Sequence, residues 1–113
     1  MPVAHPSLPG VTDADFDSVV APGSGLVAVD FTADWCPPCR MMAPVLDAAA
    51  REFAGRARLV QIDSDANPRT TVRFAVRGLH TLLLFRDGAL VDRITGAVPI
   101  ATVRSRLAAA LAP

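Results

Sequence analysis

Two cysteines stand three residues apart in Cys36-Pro37-Pro38-Cys39, and the 113-residue chain has no others. A bridge between them closes so short a ring that it would stabilise the fold little through loop entropy. In a reducing compartment such a pair reads as redox or metal chemistry rather than as a staple. Two thiols at this spacing on a helix start can join without large backbone movement, which permits reversible thiol–disulfide exchange. Six residues upstream, Asp30 is the one charge in the run Leu26-Val27-Ala28-Val29-Asp30-Phe31. A buried charge is costly unless it has a partner or a task.

The elements around the cysteines decide how they would behave. Leu26 to Phe31 is nearly continuous apolar sequence, as expected of a strand covered on both faces. Beyond the cysteines, Met41, Met42, Val45, Leu46, Ala49 and Phe53 recur at helical spacing up to Gly55. The pair therefore falls where a strand has ended and a helix begins. Unpaired N–H groups and the positive end of the helix dipole favour a thiolate there. Lowered cysteine pKa values in such settings span about 3.5–7.5. Cys36, beside Trp35 and nearest solvent, is the expected nucleophile. Cys39, one helical turn inward, is placed to attack the resulting mixed disulfide.

The remaining elements follow from pattern. Thr12, Asp13 and Asp15 ahead of Phe16, Val19 and Val20 give a helix start, and Pro22, Gly23 and Gly25 end it. Pro44 is expected to kink the helix after the cysteines. Arg58 to Asp63 reads as a second strand, in a spacing that allows a parallel crossover. Asn67-Pro68 opens a helix that ends before Gly78, with proline at the first helical position. Thr81 to Phe85 is a buried strand, and Asp87-Gly88 is a hairpin turn into Leu90 to Ile94. A last helix carries Ile100, Val103, Leu107 and Leu111 on one face, with Arg104 and Arg106 expected on a solvated surface. Val3 to Val11 could add a strand, which Pro6 and Pro9 would confine to a sheet edge. The expected architecture is α/β: a central mixed sheet with helices on both faces, one βαβ unit and a closing hairpin. Residues 1–113 read as one domain, with a proline-rich segment at 1–10.

Composition removes several classes of function. Eleven basic side chains balance eleven acidic ones, which argues against an electrostatic grip on nucleic acid or anionic lipid. All eleven bases are Arg, so a lysine Schiff base is excluded, and the absence of Tyr excludes phenolic acid–base chemistry. Met1 to Gly10 lacks the pattern of a signal peptide, and no apolar stretch approaches the roughly 20 residues of a membrane span. A soluble, cytoplasmic protein is expected, without nucleic-acid or membrane partners.

At this point a resemblance can be stated. Val29-Asp30-Phe31-Thr32-Ala33-Asp34-Trp35-Cys36-Pro37-Pro38-Cys39-Arg40-Met41-Met42-Ala43-Pro44 resembles the active-site segment of the thioredoxin family. The likeness continues through Asp65-Ala66-Asn67-Pro68, Val76-Arg77-Gly78, Thr81 to Phe85, Gly88 and Gly96, covering the chain from about Thr12 to Leu111. It implies a thioredoxin fold and protein-disulfide reduction, with Cys36 attacking and Cys39 resolving. It implies protein disulfides as substrates, a reductase of the thioredoxin-reductase type as electron donor, a monomer, and no cofactor. A substrate groove would be formed by Trp35, Pro38, the Leu79-His80-Thr81 loop and the Gly96-Ala97 region. Asp30 would act as general base for Cys39 through water.

The chain departs from that family at three places. The common Gly-Pro between the cysteines is Pro37-Pro38, which removes one backbone donor from the helix start. His80 stands where the family has a cis-proline. A cis bond before a non-proline residue costs about 2.5–4 kcal/mol, so the Leu79–His80 peptide is expected to be trans and the loop reshaped. His80 is then free to serve Cys36 as an acid, a base or a charge partner. Gln61 replaces the lysine that usually accompanies the buried carboxylate, and desolvation without that cation should raise the pKa of Asp30. Two rival readings remain. Cys36, Cys39 and His80 could form a ligand set for zinc or an iron–sulfur cluster, completed by a fourth group. Alternatively, the fold could persist as an interaction module without turnover.

Overall fold

A computed structural model of the chain describes residues 8–77 and 80–113. A short strand β1 (Gly10–Val11) leads to a single helical turn, α1 (Phe16–Val19). Next come β2 (Leu26–Thr32), the long helix α2 (Pro37–Glu52) and β3 (Ala57–Asp63). The chain closes with α3 (Pro68–Arg73), β4 (Thr81–Arg86), β5 (Ala89–Thr95) and α4 (Ile100–Leu111). The five strands form one sheet in the order β1-β3-β2-β4-β5. β1 and β2 run parallel to β3, whereas β2–β4 and β4–β5 are antiparallel. The sheet is mixed, as its sequence pattern predicts.

Alternation along the central strand separates two apolar layers. Leu26 and Ala28 of β2 join Leu59, Leu82 and Leu84 in packing against Met42 and Leu46 of α2 and Val103 and Leu107 of α4. Val27, Val29 and Phe31 point the other way, onto Phe16, Val60, Ile62, Leu83 and Phe85. Phe16, Phe74 and Phe85 meet there with ring centroids 5.3–5.5 Å apart, in tilted and edge-on geometries that aromatic quadrupoles favour. Because both faces are covered, β2 is buried at every position, which is why its sequence runs on without polar alternation.

The Asp87-Gly88 turn has positive φ at both residues, 49° and 90°, as a two-residue turn matched to the strand twist requires. It is tied to the loop before β2, since Gly25 N–H donates to the Asp87 carboxylate and Asp87 N–H donates to Gly25 O. A bulge follows, so that Leu84 faces Asp92 while Phe85 faces Leu90.

Several local expectations are modified. The edge strand is confined to Gly10–Val11 among the described residues, and the part of the proposed Val3–Val11 strand before Leu8 lies outside them. Asp15 occupies the N-cap of α1, but its carboxylate accepts from Thr12 N–H at 2.7 Å and Thr12 Oγ1 at 3.1 Å rather than from the helix. Asp13 caps a different helix. Its carboxylate accepts from Thr70 N–H at 2.8 Å, Thr70 Oγ1 at 2.6 Å and Arg69 N–H at 3.1 Å, so it satisfies the free donors opening α3. In return, Asn67 Oδ1 accepts from Asp13 N–H. As the helical spacing through Phe53 predicts, α2 runs on past Pro44 to Glu52. Arg104 and Arg106 do not merely face solvent: Arg104 pairs with Glu52 of α2, and Arg106 grips Asp92 of β5 through two nitrogens at 2.5 and 2.6 Å.

Candidate active site

The site is assembled at the carboxyl end of β2, where the strand gives way to α2. Cys36 is the N-cap of α2, with extended backbone, and Pro37 and Pro38 fill the first two helical positions. Those positions have no intrahelical acceptor for an N–H, so two prolines cost the helix no hydrogen bond there. Cys39 is the first residue of the helix with a free amide, and that N–H points at Cys36 Sγ, 3.3 Å away. The sulfur thus takes the role that a side-chain oxygen usually plays at an N-cap.

Cys36 and Cys39 are joined as a disulfide with a Cα–Cα distance of 5.2 Å. Each residue is only 2% exposed. The expectation that Cys36 lies nearer solvent is therefore not met in the oxidised form: its sulfur is bonded inward to Cys39 and sits against its own helix start. Its neighbour Trp35 is 56% exposed and donates its indole N–H to Asp65 at 2.7 Å. Asp65 is presented by a turn in which Asp63 Oδ1 accepts from the N–H groups of Asp65 and Ala66. Trp35, Cys36 and Cys39 share a surface hollow with Phe31, Ser64 and Asp65.

The other residues singled out in the sequence fall into two groups. Pro38 is half-buried in the first turn of α2. Thr81 is buried at the start of β4, opposite Phe31 on one side and Thr95 on the other. Gly96 donates its N–H to His80 O at 2.7 Å, which fixes the chain after β5 against the entry to β4. Leu79, and with it the peptide before His80, lies outside the described residues. None of Pro38, His80, Thr81, Gly96 or Asp30 lines the hollow beside Trp35. The second group is formed by Asp30 and His80. Both are 0% exposed, and His80 Nε2 lies 2.5 Å from Asp30 Oδ1. His80 thus meets Asp30, and among the described residues no hydrogen bond joins it to Cys36, the partner expected from sequence. Gln61 sits directly opposite Asp30 in β3, and its Nε2 donates to Leu8 O.

Cys36, Cys39 and His80 are not gathered into one ligand set in this form. The cysteines are bonded to each other and His80 Nε2 is engaged by a carboxylate. Among the described residues no group of three or more His, Cys, Asp or Glu is placed to hold a metal ion. Asp65 and Ser64 were not singled out from their chemistry. Their position just past the carboxyl end of a buried parallel strand is the signal that could have found them, since sites in open α/β sheets gather there.

A disulfide-forming pair at a helix N-terminus, on the end of the central strand of a mixed sheet, defines a thiol–disulfide oxidoreductase domain. Comparison with known proteins agrees. The Thioredoxin family model matches residues 7–109. The chain is similar to thioredoxin from Staphylococcus aureus, in strains COL and MW2 among others, at 47% identity over 89 residues. That alignment covers 79% of this chain and 84% of each relative. The chain belongs to the thioredoxin family and is a protein-disulfide oxidoreductase. Among the described residues, no helix is long and apolar enough to cross a membrane.

Proposed function

We propose that the chain reduces protein disulfides through the dithiol form of Cys36 and Cys39, acting as a single-domain monomer in a reducing cytoplasm. Cys36 attacks a substrate disulfide, forming a mixed disulfide and releasing one substrate thiol. Cys39 then attacks Cys36, so that the second substrate thiol leaves and the Cys36–Cys39 disulfide forms. Two electrons have passed to the substrate, and a reductase of the thioredoxin-reductase type restores the dithiol. The observation that carries this reading is the Cys39 N–H aimed at Cys36 Sγ at the start of α2, beside the exposed Trp35. A thiolate on Cys36 would accept that same N–H in a charge-assisted bond, which is stronger than the neutral one.

Asp30 serves as proton acceptor for Cys39. Alternation along β2 places its side chain on the layer that faces α2, where Cys39, Met42 and Leu46 form the buried stripe. Substrate backbone lies across Trp35, Pro38, the 79–81 segment and Gly96. The test is catalysis of insulin-disulfide reduction by dithiothreitol. The wild-type chain should accelerate it, Cys36→Ser should abolish the acceleration, and Asp30→Asn should alter the pH dependence of Cys39 reactivity. A wild-type chain no faster than dithiothreitol alone would refute the proposal.

A further inference from the structure

The reading of Asp30 as proton acceptor leaves a buried imidazole unexplained. His80 and Asp30 are both fully enclosed, and Nε2 lies 2.5 Å from Oδ1, a separation at which two lone pairs cannot comfortably face each other. The pair sits in an apolar layer. From β3 the side chains on that face are Leu59 and Gln61, from β4 Leu82, from β5 Ile94, and from α4 Val103 and Leu107. From α2 they are Met42 and, one turn nearer the helix start, Cys39. Among these described neighbours Cys39, once reduced, is the one group that can lose a proton. Neither ring nitrogen of His80 meets a hydrogen-bond partner of regular geometry among the described residues, so the close approach of Nε2 to Asp30 is the polar contact that orients the ring.

We propose that His80 is a positioning residue for the exchange reaction: by contact with Asp30 it holds the carboxylate in place and shares its proton, so that the acceptor for Cys39 is a histidine–carboxylate pair and not a lone carboxylate. The inference rests on the proton-acceptor reading of Asp30 given above. In the resolving step the Cys39 thiol gives its proton to the pair. Its sulfur then bonds to Cys36 Sγ, and the Cys36–substrate bond breaks with its electron pair leaving on the substrate sulfur. The pair returns the proton to solvent before the next cycle.

The test follows release of a thiol peptide from a Cys36 mixed disulfide as a function of pH, in wild type, His80→Gln, Asp30→Asn and the double variant. His80→Gln should slow release at neutral pH by about tenfold or more and displace the inflection of the profile, because a well-placed general base contributes about 10²–10⁴-fold. In the Asp30→Asn background the same change should add nothing. An unaltered profile in a folded His80→Gln protein, or effects of the two changes that multiply independently, would overturn the proposal. If His80→Gln does not fold, nitrogen-15 NMR of the wild-type imidazole decides: its ring shifts should differ between disulfide and dithiol forms at constant pH. Identical shifts in both forms would overturn it. Failure of the wild-type chain to release any peptide would count against the exchange mechanism itself, while the NMR comparison would still read the pair.

Discussion

The backbone N–H of Cys39 is directed at the sulfur of Cys36 across the first turn of α2, at 3.3 Å. The arrangement is asymmetric: Cys36 is at the N-cap, where the helix dipole and the free donors act, and Cys39 lies one turn inside. On the proposed mechanism, a negative charge on Cys36 after reduction is stabilised more than one on Cys39. Iodoacetamide at mildly acidic pH should therefore modify Cys36 well before Cys39, as read by peptide mass spectrometry. Equal rates at the two sulfurs, or faster reaction at Cys39, would remove the electrostatic basis for the order of attack.

Asp13 reaches across the chain to cap α3. Burial by itself would raise its pKa, but the hydrogen bonds from Thr70 and from the Arg69 N–H outweigh that and hold the carboxyl below its ordinary value of 3.8. Since the folded pKa is the lower one, this contribution to stability is complete above the unfolded value and is lost as pH falls through the folded value. Asp13→Ala should lower the Tm at pH 7, and the difference from wild type should shrink on acidification to about pH 3. A Tm difference that does not change with pH would show that the carboxylate charge has no part in the cap.

Arg106 and Asp92 pin the last helix to the edge strand. The bidentate hydrogen bond from Arg106 holds the Asp92 carboxyl below its ordinary value, against partial burial, which acts the other way. The same linkage applies: the stabilisation is present above about pH 4 and fades below it. The Arg106 side chain is 40% exposed, so solvent screening keeps the contribution of the pair small. Urea unfolding of Asp92→Asn should give a small loss at neutral pH and low salt, diminished at high salt.

Leu46 is 0% exposed in the α2 stripe that seats the redox helix on the sheet. Leu46→Ala should cost about 2–5 kcal/mol in denaturant unfolding, through lost burial and the cavity left behind. A loss below that range would mean that the helix settles into the space.

The continuous apolar run of β2, the helical period after Cys39 and the Asp87-Gly88 turn made the sheet and its long helix legible. Each follows from local chemistry: two-sided burial, a 3.6-residue repeat, and tolerance of positive φ. What sequence could not give was pairing across distance. Asp13 reads as a cap for the residues that follow it, yet its partners are at 69 and 70. Arg106 looks like a solvated cation until β5 brings Asp92 to it. His80 follows Gly78 and Leu79, so it reads as a loop residue; only the register of β4 against β2 carries it inward to Asp30. The cysteine site was legible because motif and element boundary coincide, whereas the surroundings of the buried Asp30 are set by β3 and the entry to β4 as well as by β2.

The most direct measurement traps the intermediate. Reduced Cys39→Ser protein is mixed with a disulfide-bonded peptide, and the products are mapped by mass spectrometry. A stable adduct should accumulate on Cys36, and Cys36→Ser should form none under the same conditions. No adduct on Cys36, or an equally fast adduct on Cys39 in Cys36→Ser, would contradict the mechanism.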